Sequence, residues 1–236
     1  MSVLYMVRHG QASFGRENYD RLSKRGVEQA RIVGDYFIRT GLRFDAVYSG
    51  AIERQRRTAV EIISLFNEKG VPMSELNVMK EFNEYDSKGI ITSQILEILE
   101  DDWTLAGELE KIYTDRKSFQ IIFEKAMMRW VTGKHDKPDV EHWAQVKQRV
   151  RSGLDRVMAD NGRNKKLLII ASGGTISAAV QYALGVNDYE TMKLCWQIVN
   201  SSITKFMYDD EKITLAGFNC TAHLEMLNDR DMLTYR

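Results

Sequence analysis

An α/β fold with a mostly parallel central sheet is predicted by three features of the sequence. Short apolar runs of strand type alternate with helical patterns. The opening strand stops abruptly at Arg8-His9-Gly10. A second fully apolar strand, Lys166-Leu167-Leu168-Ile169-Ile170-Ala171, ends in a Ser172-Gly173-Gly174 turn. Parallel strands joined by helices bury both faces, so such runs lose their polar alternation. In open sheets of this kind ligands bind beyond the carboxyl ends of the strands.

The run Val3-Leu4-Tyr5-Met6-Val7 is short and punctuated by Gly10, which marks it as a strand rather than a helix. A polar loop follows from Ala12 to Leu22. Ser23 has the character of an N-cap, with Val27, Ala30, Val33 and Phe37 at helical spacing behind it and Gly41 at the close. Phe44-Asp45-Ala46-Val47-Tyr48-Ser49 is the second strand. A helix is expected from about Arg54 to Lys69, with Ala59, Ile62, Ile63 and Phe66 on its apolar side. Leu76 to Met79 is a short third strand, and the strand–helix order implies parallel pairing through right-handed crossovers.

From Tyr85 to about Met158 the pattern is helical and rich in charge and aromatics, including Trp103, Trp130 and Trp143, with a loop at Lys134-His135-Asp136-Lys137-Pro138. Residues 85–158 are read as a helical insertion over the site, within a single domain spanning 1–236; ordinary core helices fit the same pattern. After the Lys166–Ala171 strand, Thr175 to Leu184 reads as a helix stopped by Gly185. Ile203 to Tyr208 and Ile213 to Phe218 read as two strands joined by the turn Asp209-Asp210-Glu211-Lys212.

Composition narrows the class of function. The chain has 236 residues, 44% hydrophobic and 28% charged, a size and balance that suit one globular domain. Its 33 basic and 33 acidic residues cancel, so no global field attracts nucleic acid or an anionic membrane. No apolar stretch reaches membrane-spanning length. The first residues lack the basic start of a secretion signal, and Cys195 and Cys220 lack metal-type spacing; a cytoplasmic, reduced protein is expected. His135, His142 and His223, with Asp136, Asp139 and Glu141, fit no standard zinc pattern, so neither metal nor cofactor is expected.

Arginine presents a planar fork suited to phosphate, and histidine a nitrogen that can attack phosphorus. Arg8-His9-Gly10 is compatible with phosphate chemistry, although three residues alone fit a surface arginine and a hydrogen-bonded structural histidine better. The wider pattern supplies context. Leu22-Ser23-Lys24-Arg25-Gly26 with Gln29-Ala30, Asp45 to Ser49 followed by Arg54 and Thr58-Ala59, Phe82-Asn83-Glu84, Ile170 to Ile176, and Asn219 with His223-Leu224 follow in order. Together they resemble the histidine phosphatase superfamily, whose fold is phosphoglycerate mutase-like.

That resemblance implies roles. His9 is the expected nucleophile, Arg8 and Arg54 hold phosphoryl oxygens, and Glu84 is the general acid, with Glu81 as its rival. Phosphate contacts are expected from Arg8, Arg54, Ser172, Gly173, Ser13 and Gly15. Without the resemblance, Arg54 among Glu53, Arg56 and Arg57 reads as an exposed helix residue. The family's second histidine stands where this chain has Ser172. A serine donates one neutral hydrogen bond and no charge, so binding should survive better than turnover. His223 is a candidate stand-in, the Gly173 and Gly174 amides another source of anion binding, and Ser172→His the obvious gain-of-function variant.

The expected activity is hydrolysis of a phosphomonoester through a phosphohistidine, with reduced rate. A phosphate-binding protein without catalysis is one alternative. A phosphoglycerate mutase is another, with lid cations drawn from Lys80, Lys88, Lys111 and Arg116. The expected partner is a small phosphorylated substrate, with phosphate or vanadate as ligand, no nucleic acid and no membrane; oligomeric state stays open.

Overall fold

The structure is a computed structural model that describes residues 1–13, 20–112 and 114–235, with residue 116 described for its backbone only. Its elements run β1 (Ser2–Arg8), α1 (Lys24–Arg39), β2 (Ala46–Ser49), α2 (Glu53–Glu68), β3 (Leu76–Val78), α3 (Ser87–Asp101), α4 (Ala106–Glu110) and α5 (Arg116–Val131). They continue α6 (Trp143–Asn161), β4 (Lys166–Ala171), α7 (Gly173–Leu184), α8 (Asp188–Gln197), β5 (Ile203–Tyr208), β6 (Ile213–Cys220) and α9 (Ala222–Glu225). The strands form one sheet in the order β3-β2-β4-β1-β5-β6. β3, β2, β4 and β1 pair in parallel, while β5 runs antiparallel to β1, and β6 to β5.

Successive strand residues point to opposite faces, and the core divides accordingly. Leu4 and Met6 of β1, with Leu167 and Ile169 of β4, pack under α5, α6, α7 and α8. Val7, Leu168 and Ile170 face the other way, onto Val33 and Phe37 of α1 and Ala59, Ile62 and Phe66 of α2. The result is a three-layer α/β/α arrangement, an α/β fold with a mostly parallel central sheet as the sequence predicts.

Residues 85–158 fold as helices α3 to α6, and α6 lies directly on the sheet through Val146, Val150 and Leu154. Trp130 and Trp143 are fully buried, with ring centroids 5.4 Å apart, and tie α5 to α6. Trp103 is 75% exposed. α8 has no counterpart in the sequence reading; its charged pattern hides only Thr191, Met192 and Cys195.

The first turn after β1 is a backbone-to-backbone contact. A side chain at Gly10 would collide with the Gly26 carbonyl, and one at Gly26 with the Gln11 carbonyl. Ser23 caps α1 by accepting from the Gly26 amide at 3.0 Å, and its hydroxyl donates to Gln11 Oε1 at 2.9 Å. Two glycines and one cap thus hold α1 tight against the loop that carries His9.

The C-terminal segment closes over the same region. Asn200 donates to the His9 carbonyl at 3.0 Å, and the Ser201 amide to the Arg8 carbonyl at 2.9 Å. Ser201 sits at φ 59, a strained position for a residue with a side chain. His223 holds it there: its Nε2 lies 2.9 Å from the Ser201 carbonyl, and its ring leans on Tyr36 of α1. His223 is therefore a buried support of the loop behind the site rather than a group within it.

Burial lowers the His223 pKa from its ordinary 6.5 to about 4, against the raising effect of its bond to Ser201. As pH falls through this window the unfolded chain takes up the proton while the folded chain resists it, so stability is lost. This group alone is expected to cost about 3 kcal/mol between pH 6.5 and 4. Urea unfolding of wild type and His223→Leu across that range checks it: the variant should show a shallower fall, and parallel slopes would contradict the assignment.

Candidate functional site

Strand alternation decides where each site residue points. His9 follows Val7 on the face of α1 and α2, and its amide donates to the Ala171 carbonyl at 2.9 Å. Ser172, one residue beyond Ala171, lies beside it on the neighbouring strand and faces the same way as Leu168 and Ile170. Arg8 falls on the opposite face, with Leu4 and Met6. All of them meet around the N-terminus of α7.

His9 is 5% exposed. Its Nδ1 lies 2.7 Å from the carbonyl of Gly10, an acceptor only, so Nδ1 carries the proton. Nε2 then presents a lone pair, and Arg54 Nε donates to it at 3.0 Å. Burial is the main cause holding the imidazole well below its ordinary 6.5, followed by the charges of Arg54 and Arg8; the bond to Gly10 opposes them. The ring is neutral and its Nε2 lone pair faces a guanidinium.

Arg54 is not an exposed helix residue. Its side chain is 13% exposed and is gripped by Asp20, whose Oδ1 accepts from Arg54 Nη1 at 2.7 Å. Asp20 also caps α2, its Oδ2 accepting from the Glu53 amide at 2.7 Å. Ile52, at the cap position, has no side-chain oxygen for that task. Thr58 completes the seat by donating to the Arg54 carbonyl and accepting from the Gly10 amide at 3.1 Å.

The Arg8 guanidinium reaches the Ile198 carbonyl through Nη1 and the Tyr235 carbonyl through Nη2, the latter at 2.7 Å. Its Nε passes about a van der Waals contact from where a side chain on Gly173 would start. Arg8 thus lies beside the N-terminus of α7, tied to the backbone of residues 198 and 235, and acts on His9 through its charge.

Glu84 sits on the N-terminus of α7. Its Oε2 accepts from the Gly174 amide at 2.9 Å, and its Oε1 from the Tyr85 amide at 3.1 Å. A helix N-terminus attracts a carboxylate in this way. Any side chain on Gly174 would strike Glu84 and the Tyr85 ring. The supporting segment is locked: Asn83 Oδ1 accepts from the Ala51 amide, and Arg149 donates to the Glu81 and Asn83 carbonyls. Glu81 points elsewhere and pairs with Arg156 at 2.9 Å. The Gly174 amide, one of the two expected anion donors, is thus engaged by Glu84.

Ser172 occupies the N-cap position of α7, yet its hydroxyl makes no capping bond. Its Oγ instead accepts from Gln55 Nε2 at 2.8 Å. Ser13 is half-buried and its amide donates to the Arg21 carbonyl at 2.8 Å, and Gly15 lies outside the described residues. Cys195, beside Tyr85 and Glu84, is pushed up to about 12, first by burial, which leaves its thiol inert as a nucleophile. Among the described residues no cluster of three or more metal-ligating side chains occurs, and no helix is long and apolar enough to cross a membrane.

Asp20, Gln55 and Asn200 were not legible as site residues. Asp20 and Asn200 act across the fold and carry no local pattern. Gln55 had one clue, its place next to Arg54.

Comparison with known proteins follows this geometry. A family model described as the histidine phosphatase superfamily (branch 1) matches residues 4–116 and 106–221. A 2,3-bisphosphoglycerate-dependent phosphoglycerate mutase of Bartonella henselae is 23% identical over 194 residues, covering 80% of this chain and 84% of that one. Two solved structures share the fold. A phosphoserine phosphatase mutant from Entamoeba histolytica in complex with phosphoserine has TM-score 0.64 and 19% identity, over 95% of this chain and 100% of that one. A mycobacterial glucosyl-3-phosphoglycerate phosphatase with inorganic phosphate has TM-score 0.63 and 20% identity, over 94% and 98%.

At pH 6.5 the His9 ring is expected to be uncharged with its proton on Nδ1. Long-range 1H–15N correlation of the imidazole reads this directly, and an imidazolium or an Nε2–H form would contradict the geometry.

Proposed function

Because the chain belongs to the histidine phosphatase superfamily, we propose that it is a phosphomonoester hydrolase acting through phospho-His9. The observation that carries this is the buried neutral imidazole, with Nδ1 fixed by Gly10 and Nε2 against Arg54. An incoming phosphate monoester takes Arg54 Nε from the imidazole onto its own oxygens. The Nε2 lone pair then attacks phosphorus; the N–P bond forms as the P–O bond to the leaving group breaks. The positive charge that develops on the ring is spread through Nδ1–H to the Gly10 carbonyl. Arg54 and Arg8 balance the oxygens, where phosphoryl transfer gains most of its rate.

Glu84 enters the reaction as the carboxylic acid, gives that proton to the departing oxygen as the P–O bond breaks, and as the resulting carboxylate takes one from the water that cleaves the phosphohistidine. Its seat on the N-terminus of α7, the helix that follows Ser172, supports this role. Ser172 and Gly173 contact the phosphoryl group, with Ser13 and Gly15 on the loop above. Ser172 supplies no charge, so turnover is slower than with a histidine in that place. The helices of 85–158 bear on the leaving group, with Tyr85 and Trp130, 4.8 Å apart, at their base. Cytoplasmic residence, with Cys195 and Cys220 both free, belongs to the same reading.

The mutase relatives favour a second reading, transfer of phosphate between two hydroxyls. A screen of aryl, sugar and amino-acid phosphates, including 3-phosphoglycerate, tests both. Wild type is expected to release inorganic phosphate and to yield an acid-labile phosphoenzyme, and His9→Ala to lose on the order of 10³-fold or more in rate. Isomerised phosphoglycerate without phosphate release would favour the mutase. No turnover above the His9→Ala background would overturn the enzymatic reading.

A further inference from the structure

We infer that Gln55 is a positioning residue that takes the place of the missing second histidine, holding Ser172 so that its hydroxyl proton is turned toward the phosphoryl group. This rests on the phosphate-site reading above. Gln55 is 0% exposed and Ser172 1%. Gln55 Nε2 donates to the Phe82 carbonyl at 2.9 Å and to Ser172 Oγ at 2.8 Å.

The orientation of the amide follows from chemistry. A carbonyl accepts and never donates, so the Gln55 atom facing Phe82 is the nitrogen. Its two protons are used by Phe82 and Ser172. Ser172 Oγ is therefore an acceptor toward Gln55, and its own proton must go elsewhere. The N-terminus of α7 presents only N–H donors and cannot take that proton, and Ser172 makes no capping bond there. Among the described residues no acceptor for it is found. A buried hydroxyl with an uncommitted proton, one residue beyond the strand position that pairs with Arg8, is a donor awaiting an anion. Gln55 Oε1, buried without a partner and pressed toward Gly50, shows that the amide is placed for its donors.

The pair also explains why serine is tolerated here. An imidazole in place of the Ser172 hydroxyl would run into the Gln55 carboxamide, so the serine and the glutamine fill the position together. Ser172→His alone, the obvious way to restore charge, is therefore expected to fail unless Gln55 is shortened at the same time.

Orthovanadate affinity, measured by titration calorimetry, tests this without requiring turnover. Ser172→Ala should bind about tenfold more weakly, and Gln55→Leu about fivefold. Gln55→Leu/Ser172→Ala should bind within about twofold of Ser172→Ala, because Gln55 acts through the hydroxyl already lost. Unchanged binding by Gln55→Leu, or losses that multiply in the double variant, would overturn the inference. A second pair decides even if leucine disrupts folding. Gln55→Ala/Ser172→His should bind at least about tenfold more tightly than Ser172→His, because the shortened side chain leaves the imidazole room to reach the anion. Equal affinities there would also overturn it. Wild type that does not bind vanadate at all would sink the phosphate site itself, whereas wild-type binding with no Gln55 effect sinks only this inference.

Discussion

A buried imidazole next to a guanidinium is the constraint from which the rest of this structure follows. Two positive charges in contact and out of water would be costly, so the ring must be neutral. Neutrality in turn fixes a tautomer, and the Gly10 carbonyl selects Nδ1–H. For that carbonyl to stand in place, the loop after β1 must pass hard against α1, which requires glycine at positions 10 and 26. For Arg54 to stand opposite, α2 must begin where it does, and Asp20 secures both the helix start and the guanidinium.

The N-terminus of α7 is the second organising feature. It is a ready anion site, and an acidic side chain of the protein has settled on it. Glu84 takes the Gly174 amide, which leaves the neighbouring Ser172 hydroxyl out of the cap. A carboxylate in this seat, Arg8 beside the helix end and Arg54 against His9 concentrate charge at one end of the sheet. The charged machinery lies on two faces of one sheet, because Arg8 and His9 are adjacent residues of an extended chain and must diverge.

Most of the layered fold was readable because it rests on local patterns. The apolar runs of β1 and β4, the Ser23 cap and the spacing of Val33 and Phe37 are short-range signals that tertiary packing did not override. α8 was not readable, since a helix that buries only three residues leaves little periodicity. The family pattern singled out Arg8, His9, Arg54, Glu84 and Ser172 as candidates, and they lie together at one end of the sheet. What escaped were contacts between distant polar residues. Asp20 grips Arg54, Asn200 holds the His9 carbonyl and Gln55 binds Ser172, all between groups that no spacing rule connects. His223 looked like a candidate for the pocket, but it turns inward and holds the Ser201 carbonyl.

The most direct measurement is a crystal structure with orthovanadate. The account predicts vanadium bonded to His9 Nε2, with Arg54 Nε shifted from the ring onto a vanadate oxygen. Vanadate bound elsewhere, with Arg54 still seated on Nε2, would contradict it.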